Sequence, residues 1–174
     1  MRTFVKGYIA NCVECYFNRK PGGRSECELH IDELEPLKPF RILHPDHLGP
    51  FIRSKKENTH ILVLVDRFTK YVIIKAVRNT KTQPIINALN ELSSIFGLPV
   101  KIITDRGTSF NSKVFFDYCK LNEIKHVKTA VRTPRVNGQV KRLNQSILSF
   151  LKTAKFDDKN LDEELRSLQW MLNT

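Results

Sequence analysis

Apolar and polar positions follow no sustained period up to about residue 40 and fall into regular patterns beyond it. Residues 16–40 hold Pro21, Gly22, Gly23, Pro36 and Pro39 among mixed charges, the composition of a linker. RILHPDHLG (41–49) then reads as a short strand, and the apolar run of THILVLVD (59–66) fits a buried one. KYVIIKAV (70–77) follows at once and predicts a hairpin that turns near Arg67–Thr69.

Helical spacing takes over next. Thr82 is placed as an N-cap with Pro84 in the first turn, and Ile85, Ile86, Leu89, Leu92, Ile95 and Phe96 repeat until Gly97 stops the helix. VKIITD (100–105) is a strand that ends on an aspartate. Residues 112–122 read as a helix capped by Ser112, with Val114, Phe115, Tyr118 and Cys119 on one side, and IKHVKTA (124–130) as a fifth strand. After VRTPRVNG, a flexible stretch, a long helix begins near Gln139 with Val140, Leu143, Ile147, Leu148 and Leu151 on its apolar face. LDEELRSLQWML (161–172) is a last amphipathic segment. The order predicts an α/β fold, a mixed five-stranded sheet flanked by helices. That is the ribonuclease-H-like arrangement, although the pattern alone also suits other α/β folds.

Composition narrows the classes. The 174 residues suit one domain with a short appendage. There is no run of eighteen apolar residues, so no transmembrane helix and no membrane partner is expected. MRTFVKGYIANC has no apolar signal core, so secretion is not expected and a nuclear or cytoplasmic place is. Four cysteines in that setting suggest free thiols or metal ligands rather than a disulfide framework. Cys12 and Cys15 have the CxxC spacing of a metal knuckle. Cys27 and His30 would extend it to a four-ligand set, or be incidental. Cys119, on a helix face, is expected in the core.

The net charge is +11, from 29 Lys and Arg against 18 Asp and Glu, and it is unevenly placed. Residues 1–40 are neutral and 161–174 are acidic, so the excess belongs to the middle. Between 124 and 156 stand Lys125, Lys128, Arg132, Arg135, Lys141, Arg142, Lys152 and Lys155 with no acid among them. Charge runs are ordinarily solvated surface, but surfaces usually mix signs, and this run favours a polyanionic partner.

Two acids carry candidate chemistry. Asp46 lies in the first strand, and Asp105 ends the fourth, before Arg106 and Gly107. Carboxylates at neighbouring strand ends converge on divalent metal in phosphoryl transfer, where a third carboxylate normally completes the site. Each also has an ordinary reading: Asp105 as a turn cap before glycine, Asp46 as a solvent-facing strand acid.

HPDHLGPF (44–51), ILVLVDRFTKY (61–71), ITDRGTSF (103–110) and TPRVNGQVKRLNQSIL (133–148) stand in one order over residues 40–174. In these segments the chain resembles the integrase catalytic core of retroviruses and long-terminal-repeat retrotransposons, nearest the Gypsy-type lineage. The resemblance implies a ribonuclease-H-like fold, binding of Mg²⁺ or Mn²⁺, and DNA 3′-end processing and strand transfer by an Asp, Asp, Glu set. It assigns Asp46 and Asp105 to the first two acids. The third position, with thirty-five residues between it and Asp105, is Lys141. The family writes Asn-Gly-Gln-x-Glu-Arg where this chain has Asn137, Gly138, Gln139, Val140, Lys141 and Arg142.

Lys141 exchanges a carboxylate for an ammonium, so Mg²⁺ or Mn²⁺ is expected to bind weakly or not at all. An ion pair of Lys141 with the two aspartates would suit a metal-free core. Strand transfer is expected to be lost. No Asp or Glu lies between 124 and 156 to substitute. Pro45, where the family has an apolar strand residue, removes a ladder donor and either displaces Asp46 or falls at a bulge. Residues 1–17 resemble the end of the family's N-terminal zinc module, 18–39 its linker, and 40–174 a C-terminally incomplete core. The module's two upstream histidines are missing before Cys12, so zinc is not expected there. DNA would be held by Arg132, Arg135, Asn137, Gln139, Lys141 and Arg142 beside a helix N-terminus, largely without regard to base sequence. Helix capping is the other reading for Asn137 and Gln139. A homodimer through helical faces of the core is a further expected partner, and an active subunit within a complemented assembly or a protein-interaction module are the competing functions.

Overall fold

The computed structural model describes residues 38–129, 138–153 and 161–174, and in the last two stretches the side chains of 142–151 and 164–174. Expectations placed on Cys12, Cys15, Cys27, His30, Arg132, Arg135 and Asn137 lie outside the described residues.

The strands are β1 (Ile42–Leu48), β2 (His60–Asp66), β3 (Val72–Val77), β4 (Lys101–Thr104) and β5 (Lys125–Lys128). The helices are α1 (Thr82–Phe96), α2 (Lys113–Leu121), α3 (Gly138–Thr153) and α4 (Leu161–Asn173). One five-stranded sheet runs in the order β3-β2-β1-β4-β5. β1, β2 and β3 pair antiparallel, while β1–β4 and β4–β5 pair parallel. The β2–β3 turn is fastened by Asp66, whose Oδ2 accepts from the Thr69 N–H at 2.8 Å and the Thr69 hydroxyl at 2.6 Å. Its Oδ1 accepts from the Phe40 N–H at 3.0 Å, so this buried carboxylate is satisfied and ties the start of the domain to the hairpin.

Alternation along β2 splits the core into two. Leu62 and Leu64 join Leu43, Ile102, Ile85, Leu89, Phe115 and Cys119 under α1 and α2. Ile61, Val63 and Val65 join Leu48, Val72, Ile74, Ile147, Leu165 and Leu168 under α3 and α4. A period of two on the strand and 3.6 on the helices thus builds one sandwich with two apolar layers.

Three local expectations change. Lys81, not Thr82, is the N-cap of α1, and it makes no side-chain cap bond. The Thr82 hydroxyl is engaged elsewhere: it donates to the Ser109 carbonyl at 2.8 Å and lies 2.7 Å from the Ser112 hydroxyl. Val114 is exposed, because only Phe115 and Cys119 of α2 turn fully into the core. Pro45 neither makes a bulge nor displaces its neighbour: the β1–β2 register runs unbroken through Pro45↔Leu64 and Asp46↔Val63. The β1–β4 ladder ends at Leu43↔Ile102, so on that side the missing proline N–H breaks no paired bond. Two expected helix boundaries hold. Ser112 accepts from the Phe115 N–H at 3.2 Å, and Gly97 ends α1 at φ 82°, in the left-handed region glycine tolerates.

The free edge of β3 is covered by amide side chains of α4. The Val72 N–H donates to Asn173 Oδ1, and Asn173 Nδ2 returns a bond to the Val72 carbonyl, each at 2.8 Å. The Ile74 N–H donates to Gln169 Oε1 at 2.7 Å. Four helical residues rise about 6 Å, and two strand residues span about 6.8 Å, so the i, i+4 pair meets alternate strand positions.

Candidate active site

β1 and β4 run side by side, with Ile42 level with Lys101 and Leu43 with Ile102. Asp46 lies past that pairing in β1 and Asp105 just past the end of β4, both toward the C-terminal ends of these parallel neighbours. Adjacent strands stand about 4.8 Å apart, so the fold brings the two sequence-predicted acids to one end of the sheet.

Asp46 is half-buried. Its Oδ1 accepts from the His47 N–H at 2.8 Å, and its Oδ2 accepts from Asn144 Nδ2 at 2.7 Å. Asn144 is 6% exposed, and its buried Oδ1 has no hydrogen-bond partner among the described residues. The bond to the carboxylate is charge-assisted and links β1 to α3. Sequence reasoning missed Asn144, although a signal was there: it is a polar residue inside the apolar stripe of Leu143, Ile147 and Leu148. Position 141 is three residues earlier in α3.

Asp105 is exposed just past β4, and its Oδ1 accepts from the Gly107 N–H at 2.9 Å. A Cβ on Gly107 would lie 3.0 Å from that oxygen, so glycine lets the carboxylate fold over its own turn. The turn-capping reading of Asp105 is therefore met, and it engages one of the two oxygens. Beneath it, the Thr104 hydroxyl donates to the Asp105 carbonyl and lies 2.8 Å from His126 Nε2. His126 packs edge-on against Phe115 at 5.0 Å. Burial first, and Lys128 second, hold its pKa below the ordinary histidine value. His47 is lowered by burial and by His60, with Asp105 opposing.

Among the described residues, no group of three or more His, Cys, Asp or Glu side chains is placed to hold a metal ion. Two carboxylates beside a carboxamide are an incomplete donor set for a pair of hard divalent cations, and the described residues do not fit a two-cation centre. Of the expected nucleic-acid residues, Arg142 is exposed on α3; Gln139 and Lys141 lie in its first turn, with side chains outside the described ones. Cys119 is buried, and burial pushes its thiol up to about 11, as suits a packing residue.

The mixed sheet between two helical layers, with an acid toward the C-terminal end of each of two parallel neighbours, defines a ribonuclease-H-like α/β protein. Residues 36–134 match the family described as Integrase core domain, and the chain belongs to that family. It is 36% identical over 145 residues to an uncharacterized protein of Caenorhabditis elegans, covering 79% of this chain and 10% of that protein. It is 25% identical over 170 residues to Gypsy retrotransposon integrase-like protein 1 of Bos taurus, covering 97% of this chain and 33% of that one. The chain thus spans between a tenth and a third of these relatives. The HTLV-2 integrase catalytic core domain, solved in complex with magnesium in a dimeric form, superposes with a TM-score of 0.53 at 28% identity. That match covers 78% of this chain and 88% of that domain. A chain of the simian T-cell lymphotropic virus intasome shares the fold, with a TM-score of 0.63 at 20% identity over 98% of this chain and 60% of that chain.

Proposed function

We propose that this chain is a retrotransposon-derived integrase core that binds DNA and has lost useful strand transfer. One observation supports the reading: the Asn144–Asp46 hydrogen bond joins the strand of the first acid to α3, and position 141 is in the first turn of that helix. There the family pattern has glutamate and this chain has Lys141. An ammonium in place of a carboxylate opposes a second cation next to Asp46. No Asp or Glu in 124–156 is available to compensate. Losing one member of a site that acts as a unit commonly lowers the rate by several orders of magnitude. The cations of 124–156, Arg132, Arg135, Lys141 and Arg142 among them, with Asn137 and Gln139, supply phosphate contacts that do not require catalysis.

The test is a strand-joining assay with Mg²⁺ or Mn²⁺ on a labelled duplex end, comparing the wild type with Lys141→Glu. No joined product is expected from the wild type, and a gain is expected from the variant. Equal activity of the two would overturn the catalytic half. Anisotropy titrations between 50 and 200 mM salt check the binding half; absent binding, or an affinity that does not change with salt, would overturn it.

A further inference from the structure

The connection from β1 to β2 is a shaped projection. The Phe51 N–H donates to the Thr59 carbonyl at 2.7 Å, and the Thr59 N–H donates to the Val77 carbonyl at 3.1 Å, which fastens the base to β3. At the tip, the Ser54 N–H donates to the Asn58 carbonyl at 3.0 Å and the Glu57 N–H to the Ser54 carbonyl at 2.8 Å. The Ser54 hydroxyl accepts from the Asn58 N–H at 3.2 Å, and Ser54 itself is buried, 4% exposed. Around this anchored serine, Arg53, Lys55 and Lys56 are all exposed. The one acid of the turn, Glu57, faces Arg78 of the neighbouring strand end at 3.9 Å. Three cations in four residues therefore stand on a turn whose backbone is already fixed, so little further ordering is needed when they meet an anion.

Strand direction says where this turn lies. β1, β3, β4 and β5 all run toward one end of the sheet, and the β1–β2 connection is at that end. Asp46 and Asp105 point their strands to the same end. So do Arg78 and Lys81 after β3, Arg106 after β4 and Lys128 closing β5, all exposed. Cations spread over several separate connections around the candidate site match a long polyanion of regular charge spacing, rather than a short acidic peptide that needs one compact pocket.

We infer that the 53–56 turn is a second phosphate-contact element for duplex DNA, distinct from the 131–142 stretch. The inference rests on the DNA-binding reading above. In this arrangement a duplex whose backbone lies over α3 reaches past the two acids, and Arg53, Lys55 and Lys56 meet phosphates farther along it.

The test is fluorescence anisotropy with a 24-bp duplex across a salt series, comparing the wild type, R53A/K55A/K56A, R53K/K55R/K56R and R132A/R135A. Removing three phosphate contacts is expected to flatten the slope of log affinity against log salt by about 2 to 3. It should also weaken binding on the order of tenfold or more at 0.1 M salt. The charge-preserving variant should keep the wild-type slope, and unchanged thermal melting would show that folding is intact. If the wild type binds and R53A/K55A/K56A has the same slope, this inference fails while the DNA-binding reading stands. If the wild type does not bind, both fail. An equal loss of affinity for a polyglutamate probe would also overturn the assignment to duplex DNA.

Discussion

Under α1 and α2 the middle of the sheet is closed mainly by apolar side chains, Leu43, Leu62, Leu64 and Ile102 against Ile85, Leu89 and Phe115, with His126 edge-on to Phe115. Under α3, β1 puts a carboxylate, Asp46, against a buried carboxamide, Asn144. The first layer is stabilised by area and shape, and its interactions are indifferent to charge. The second gives up a packing position to hold one oxygen of an acid in a fixed direction. In this chain the pair holds one oxygen of Asp46, and Lys141 stands three residues before Asn144 in the sequence. The layer that only packs and the layer that positions are separable by experiment.

The largest effect is expected in the apolar layer. Phe115 is fully buried between Phe110 and His126. Phe115→Ala should cost about 3–5 kcal/mol in denaturant unfolding; a loss below 1 kcal/mol would mean that this layer is looser than its packing implies. The polar contact is expected to be worth less. Asn144→Leu preserves volume but leaves Asp46 Oδ2 without its amide, and should cost about 1–3 kcal/mol. A stabilising Asn144→Leu would show that the amide, with its unpartnered Oδ1, is a net burden on the fold. The smallest change should come from pH at the seam between strand and helix. Burial holds His126 below the ordinary value of 6.5, so the unfolded chain takes up its proton first as pH falls. Its contribution is full above about 6.5 and is lost as pH drops through the lower folded pKa. Melting temperatures from pH 7.5 to 5 should therefore fall less steeply for His126→Gln than for the wild type; identical slopes would remove His126 from the account.

Local pattern made much of the fold legible. The apolar run at 61–65, the helical repeat of Ile85 to Leu92 and the Ser112 cap are short-range signals, and each is found where the sequence put it. Long-range bonds explain the misses. Thr82 has the chemistry of a cap, but its hydroxyl is claimed by Ser109 and Ser112 some thirty residues away. Pro45 looks disruptive until the β4 ladder is seen to stop short of it. Of the site, Asp46 and Asp105 were singled out by the resemblance, since strand position and a following glycine alone left each with an ordinary reading. Asn144 was not, because one polar residue in an apolar stripe says nothing of the strand 98 residues earlier that it meets.

Gln169 and Asn173 have a consequence for how copies of this chain meet. An outer strand is normally an open template, and any extended segment with free amides can add to it. Here two side-chain amides occupy the Val72 and Ile74 positions, so α4 acts as a counterfeit strand that no further strand can follow. At these positions growth of the sheet through β3 is blocked by side-chain amides, so an added strand would meet β5, the other edge of the sheet, instead.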